Sequence, residues 1–253
     1  RSVDPEEILS LWDSVPLAQQ SNITVIEDFV TSNFLPAGSD LDEYIPVDFQ
    51  RNPSFIAQLN SRYRKWAYDI NGLWHLLGRK VSQDALANPQ RHSYLARPRP
   101  LIVPGGRFRE SYYWDSLFIM EGLLVCGMLE TAQQVVYTLL DDVETYGFVP
   151  NGGRIYYLDR SQPPMLSEMV VRLLDAMGWE SKEGIRVLQR AYPLLNKEWV
   201  WWMNPKGHNV VALTGGYFLN RYGSSEETPR PESYAEDVTT VGKSSGDTAS
   251  SSS

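Results

Sequence analysis

PGGRFRESYYWDSLFIMEGLLVCGMLETAQQVVYTLLDDVETY, residues 104–146, sets the plan of the chain. It begins as a loop: Pro104, then Gly105-Gly106, then arginines among aromatic side chains. It passes into two runs with helical spacing, Tyr112–Met128 and Glu130–Tyr146. Apolar residues recurring at three and four positions predict an amphipathic helix in each, and the two read as an antiparallel pair.

On the C-terminal side the alternation of loop and helix continues. Pro150-Asn151-Gly152-Gly153-Arg154 is predicted as a tight turn in which Asn and Gly supply positive φ, with Ile155–Leu158 a short strand after it. Pro163-Pro164 opens a helix carrying Leu166, Met169, Val170, Leu173, Leu174 and Met177, closed by Gly178. Ser181–Met203 is helical with a kink expected at Pro193. Val210–Tyr222 alternates around Gly215-Gly216, a hairpin pattern. From Thr239 apolar residues give out and the chain ends in Ser250–Ser253, so residues 239–253 are expected to be a disordered tail.

On the N-terminal side Asp4-Pro5-Glu6-Glu7 reads as an N-cap, a proline at the first helical position and first-turn acids. Val25, Ile26, Phe29, Val30 and Phe34 share one helical face. Asn52-Pro53 opens a long predicted helix whose stripe runs from Phe55 through Tyr63, Trp66 and Ile70 to Leu77, stopping at Gly78. Arg97–Pro104 is too rich in proline for regular helix and reads as a linker. The expected division is residues 1–96 as N-terminal helices, 97–238 as the main domain and 239–253 as the tail. Helix–loop–helix units with polar and aromatic loops suggest an α/α toroid, although periodicity alone does not separate it from other helical folds.

Composition removes several classes of function. With 253 residues, 42% hydrophobic and 21% charged, the chain is of ordinary globular make-up. Its net charge of -8 gives no basic footprint for nucleic acid, and no apolar run reaches the roughly 18 residues of a membrane span. The single cysteine, Cys126, sits in an apolar run and reads as a buried structural thiol. The histidines His75, His92 and His208 lack ligand spacing, so no metal site is expected; no cofactor is expected either. The sequon Asn22-Ile23-Thr24 leans toward an extracellular or secretory setting. Oligomeric state is not legible.

Four segments gather forked polar side chains beside aromatics: Pro104–Asp115, Pro150–Arg154, Arg160–Pro164 and Arg230–Tyr234. Adjacent hydroxyls of a neutral polyol donate and accept together, and Arg, Asp, Glu, Asn and Gln meet two at once. Tryptophan covers the C–H face, and paired glycines admit close backbone approach. Each segment alone also fits a structural role: Arg107 and Asp115 as an ion pair fastening a loop, Asn151 as turn geometry, Arg160 and Glu232 as surface residues. Four such segments together favour a sugar site.

Pro104–Asp115 resembles the trehalase signature P-G-G-R-F-x-E-x-Y-x-W-D at every fixed position, with Leu117 where the family usually has Tyr. P-N-G-G-R, R-S-Q-P-P and R-P-E-S are similar to further segments of glycoside hydrolase family 37, in family order, over about residues 3–237. The resemblance implies an all-α, incomplete (α/α)6 toroid with N-terminal helices and a small β-hairpin, of which Tyr112–Met203 supplies about four helices. It implies inverting hydrolysis of α,α-trehalose to glucose, with Arg107, Trp114, Asp115, Asn151, Arg160, Ser161, Gln162, Arg230, Pro231 and Glu232 binding the sugar. The family's general acid and base lie in motifs that this sequence lacks, so no catalytic residue is assigned. A truncated, catalytically inactive sugar-binding protein is the alternative. Glu110, Asp115 and Glu232 are expected to be held ionised by Arg107, Arg109 and Arg230 nearby.

Overall fold

Asp4-Pro5 opens the first helix, α1 (Pro5–Asp13), of a computed structural model that describes residues 4–224, 226 and 228–247. Helix α2 (Ile23–Asn33) follows, its first turn capped by Asn22, whose side chain accepts from the Thr24 N–H. Strand β1 (Leu41–Glu43) leads to three short helices, α3 (Ser54–Gln58), α4 (Ser61–Asn71) and α5 (Trp74–Leu77). Strand β2 (Gly78–Val81), helix α6 (Gln83–Ala87) and strand β3 (Leu101–Ile102) complete this half. Four long helices come next: α7 (Asp115–Val125), α8 (Leu129–Tyr146), α9 (Leu166–Met177) and α10 (Lys182–Trp202). A hairpin, β4 (Val210–Ala212) and β5 (Phe218–Asn220), and a last helix, α11 (Tyr234–Asp247), end the described chain.

The expected helices α7 to α10 are present and pack together, α8 and α9 each touching the other three. Met120 and Leu123 of α7, Val136, Leu140 and Val143 of α8, Leu166, Met169 and Leu173 of α9, and Val187 and Ala191 of α10 are all but fully buried together. Each is worth about 1.5–3 kcal/mol in burial if it is a large aliphatic side chain. The hairpin forms as expected, with Val210 opposite Asn220 and Ala212 opposite Phe218.

Five expectations differ. The helix expected from Asn52 to Leu77 is broken into three. Asn60 folds its side chain over the Arg62 N–H at 3.1 Å and starts a new helix, while Leu59 is extended. A short polar side chain that satisfies the backbone locally competes with helix continuation. The segment 97–104, expected as a linker, is built into the fold. Leu101, Ile102 and Val103 are buried, β3 pairs with β2 in a three-stranded antiparallel sheet of order β1-β2-β3, and the buried Arg97 forks onto Asp142 of α8 at 2.6 and 3.0 Å. Ile155–Tyr157 is a 3-10 turn, not a strand. Residues 239–247 continue α11 in place of a disordered tail, and the rest of that expectation lies outside the described residues.

The fifth difference lies in the Pro150–Arg154 turn. No non-glycine residue among those described has positive φ, and neither Gly152 nor Gly153 has it. Their glycines serve close approach. A Cβ on Gly152 would stand 2.8 Å from the Tyr157 ring, and one on Gly153 would enter the Tyr94 phenol. Gly105 and Gly106 do take positive φ, +98° and +60°, turning the chain so that Gly105 and Phe108 exchange backbone hydrogen bonds of 3.0 Å.

Candidate functional site

All four polar segments lie where helices begin or end. Trp114 is the N-cap residue of α7 and Asp115 its first residue, so both project from one helix start. The Trp114 N–H, an orphan donor at that start, is taken by Gln162 Oε1 at 3.1 Å. Asn151 joins the neighbouring strands of chain through its backbone: its N–H donates to Arg160 O at 3.0 Å and its carbonyl accepts from Tyr113 N–H at 3.2 Å. Arg160 pairs with Glu232 across 72 residues of sequence, with Asp159 at 3.1 Å, and lies over the Tyr157 ring at 5.1 Å. Segments one, two, three and four are thereby brought into one region.

An aromatic row connects them. Phe108, Tyr112, Tyr157 and Tyr156 meet edge to face, with successive centroids 5.7, 6.0 and 4.8 Å apart. Arg107 lies over the Phe108 ring at 4.7 Å and, among the described residues, has no hydrogen bond or ion pair. Burial is the main cause that raises the phenols, Tyr156 to about 12, with the charge of Glu110 adding to it. These hydroxyls stay protonated and able to donate at any neutral pH.

The ten expected residues do not share one cavity. Arg160, Arg230 and Pro231 line a cleft of about 500 Å³ with Tyr156, Leu158 and Asp159. Trp114, Asp115, Asn151, Gln162 and Arg107 lie outside that lining. Arg230 is committed to Asp237, whose carboxylate it meets at 2.7 and 2.9 Å, and this holds Asp237 down at about 2. Ser161 is buried, its hydroxyl donating to Val149 O at 2.7 Å, so the protein has already used its donor.

The expected arginine partners of the site carboxylates are corrected by the geometry. Arg107, Arg109 and Arg230 pair with none of Glu110, Asp115 and Glu232. Glu110 is held by Arg154 (Nε–Oε1 2.7 Å) and Glu232 by Arg160. Asp115 has no arginine, and desolvation raises its carboxyl from its ordinary value against hydrogen bonds from its own N–H and from Trp114.

Two groups go beyond the sequence reading: the partners of Arg154, itself part of the second segment, and a buried carboxyl group on α10. Arg154 meets Asp40 at 2.5 Å and Ser93 Oγ at 2.7 Å as well as Glu110, tying the N-terminal segment to the loop at 104–115. Burial opposes its charge, but the two carboxylates outweigh that and raise it further. Asp40 also accepts from His92 at 2.6 Å, and His92 meets Asp84 at 3.1 Å on its other side. The second group is Glu198 of α10, buried and raised to about 7 by desolvation, which accepts a hydrogen bond from the Tyr113 hydroxyl at 2.7 Å. Its helical phase, with Val187 and Ala191, was the available signal. Among the described residues no cluster suits a metal ion and no helix is long and apolar enough to cross a membrane.

The arrangement offers flat rings, the Arg107 guanidinium and several forked groups, which suits a neutral hydroxylated ligand. Known proteins give the same direction. The family model described as Trehalase matches residues 2–252. Trehalase of Homo sapiens is 38% identical over 242 residues, covering 94% of this chain and 40% of that protein. Trehalase of Apis mellifera is 41% identical over 216 residues, 85% of this chain and 34% of that one. Among solved structures, neutral trehalase from Saccharomyces cerevisiae aligns with TM-score 0.50 and 34% identity over 56% of this chain and 26% of that chain. The chain spans about two fifths or less of the length of these relatives. Its packed helices, with their small sheets, are an incomplete (α/α)6 toroid. The chain belongs to the trehalase family.

Proposed function

We propose that this chain carries the sugar-binding segments of an enzyme that hydrolyses α,α-trehalose to two glucose molecules with inversion. The observation that supports it most is the convergence of four separate segments through Trp114–Gln162, Asn151–Arg160 and Arg160–Glu232. Trp114 gives a half-exposed ring for a sugar face. Arg107, Asp115, Asn151, Arg160, Gln162 and Glu232 give the forked partners, with Ser161, Arg230 and Pro231 shaping the loops behind them.

Inversion needs two carboxyl groups roughly 6.5–9.5 Å apart, one as acid and one activating water. Within the chain Glu110 and Glu232 are each engaged by an arginine. Asp115 stands without an arginine, and no second free carboxylate is assigned beside it. The proposed division is therefore binding in this chain and no acid–base pair within it.

Calorimetric titration with trehalose tests the reading. The chain is expected to bind the sugar, and Arg107→Ala or Asp115→Ala to weaken binding by about 1–3 kcal/mol, the cost of leaving a buried polar partner unmet. Glucose release by the chain alone is expected to be absent. Unchanged affinity in both variants would remove the site assignment, and glucose release would return the acid–base pair to Asp115 and Glu232.

A further inference from the structure

Helix α10 turns Gly184, Val187, Ala191, Glu198 and Trp202 to the interior. Glu198 thus holds a position otherwise given to small or apolar residues, and it is 3% exposed. A buried carboxyl group is tolerated where its hydrogen bonding requires it. Its hydrogen bond is to Tyr113, whose hydroxyl donates to Glu198 Oε1 at 2.7 Å.

The same hydroxyl accepts the Leu166 N–H at 2.9 Å. Leu166 is the first residue of α9, and the residue before it, Met165, offers no capping side chain. The phenol therefore does across space what an N-cap residue does locally. The Tyr113 N–H donates to Asn151 O. One residue thus ties together the turn at 150–154, the start of α9 behind Arg160–Pro164, and the entrance of α7. Glu198 decides how the hydroxyl points. With the proton directed at the carboxyl group, an oxygen lone pair is left to face Leu166.

We propose that Glu198 is a positioning residue for the candidate sugar site: through the Tyr113 hydroxyl it fixes the loop bearing Trp114 and Asp115 against the loop bearing Arg160 and Gln162. It touches no sugar itself. The sugar half of this statement rests on the function proposed above, and the anchoring half does not.

Amide hydrogen exchange and trehalose titration on the purified chain separate the two. Tyr113→Phe and Glu198→Leu are expected to raise exchange in residues 112–117 and 160–168 about tenfold, as befits loss of one buried hydrogen bond. Residues 135–143, inside α8, are expected to stay as in the parent chain. Trehalose affinity should fall about tenfold in the same variants. Glu198→Gln keeps an acceptor oxygen and should restore both readings to within about twofold. Parent-like exchange in Tyr113→Phe, or a rise spread evenly into 135–143, overturns the proposal, and so does a Glu198→Gln variant as disturbed as Glu198→Leu. If Glu198→Leu does not fold, Tyr113→Phe decides. A parent chain that ignores trehalose while Tyr113→Phe shows the localised exchange supports the anchoring and removes the sugar assignment alone.

Discussion

Glu198 shows how far one residue's surroundings set its chemistry. Desolvation raises its carboxyl from 4.5 to about 7, and the Tyr113 hydrogen bond recovers part of the loss. In the unfolded chain the group ionises near 4.5; in the folded chain it keeps its proton until about 7. Between those values the folded state binds more protons than the unfolded state, so stability falls as pH rises through the window and levels off above it. Glu198→Gln removes the ionisation and the slope with it. Urea unfolding of the two proteins should agree near pH 4.5 and diverge toward pH 8, the variant becoming the more stable by up to roughly 3 kcal/mol. Parallel curves across that range would show that Glu198 does not titrate in the folded chain as its burial implies. Arg154 makes the complementary case. It too is buried, though less deeply, and two carboxylates hold its charge in place. Glu198 lies in none of the four polar segments, and Arg154, though it belongs to the second, binds Asp40, Ser93 and Glu110, partners that no motif spacing gives.

At the scale of elements, helix starts in this chain are often finished by a partner from elsewhere. Met128, ahead of α8, offers no capping side chain. Asp48 supplies one: its carboxylate, 83 residues before Thr131, accepts the Thr131 N–H at 3.0 Å and the Thr131 hydroxyl. A negative charge at that end is also favoured by the helix dipole. Asp48→Ala should cost about 1 kcal/mol of stability, and thermal unfolding of the variant reads it; no loss would mean that water caps α8 equally well. Such partners explain what the sequence did and did not show. Helices α7 to α10 were legible because their apolar residues repeat locally and Gly178 ends α9 visibly. The breaks at Asn60 and Gly72 carried signals, an N-cap residue and a glycine, that the long apolar stripe from Phe55 to Leu77 overrode. The three-stranded sheet was not legible, since its strands are only two to four residues long and pair across distant stretches. The site residues were legible as types within motifs. Their pairing was not, because nothing local distinguishes Glu232 from Asp237 as the partner of Arg160.

Over the whole molecule the four-helix layer is sealed along its middle and open along its flanks. On α10, Ile185, Leu188, Tyr192 and Trp199 follow one another at helical spacing and all are exposed, Tyr192 to 72%. On the other flank Trp66 and Ile70 of α4 and Phe118 and Val125 of α7 line an open cavity of about 440 Å³ above Trp74 and Cys126, and Trp66 is 65% exposed. Apolar patches rarely extend beyond a few hundred Å² on soluble monomers, and larger ones mark surfaces that associate. Burial of aromatic and aliphatic area on both flanks favours association. The purified chain should therefore bind a hydrophobic dye strongly and self-associate as concentration rises. Charged substitutions on the α10 stripe, Tyr192→Lys with Trp199→Glu, should lower both readings without lowering the unfolding temperature, because neither side chain belongs to the buried stripe of α10. The same pair leaves Glu198 and the Tyr113 hydrogen bond in place, so trehalose binding should persist. Sedimentation velocity and dye titration together decide. A monomer at all concentrations with no dye signal would mean that these flanks are covered in solution by a rearrangement of the chain, and the openness of the layer would have to be given up.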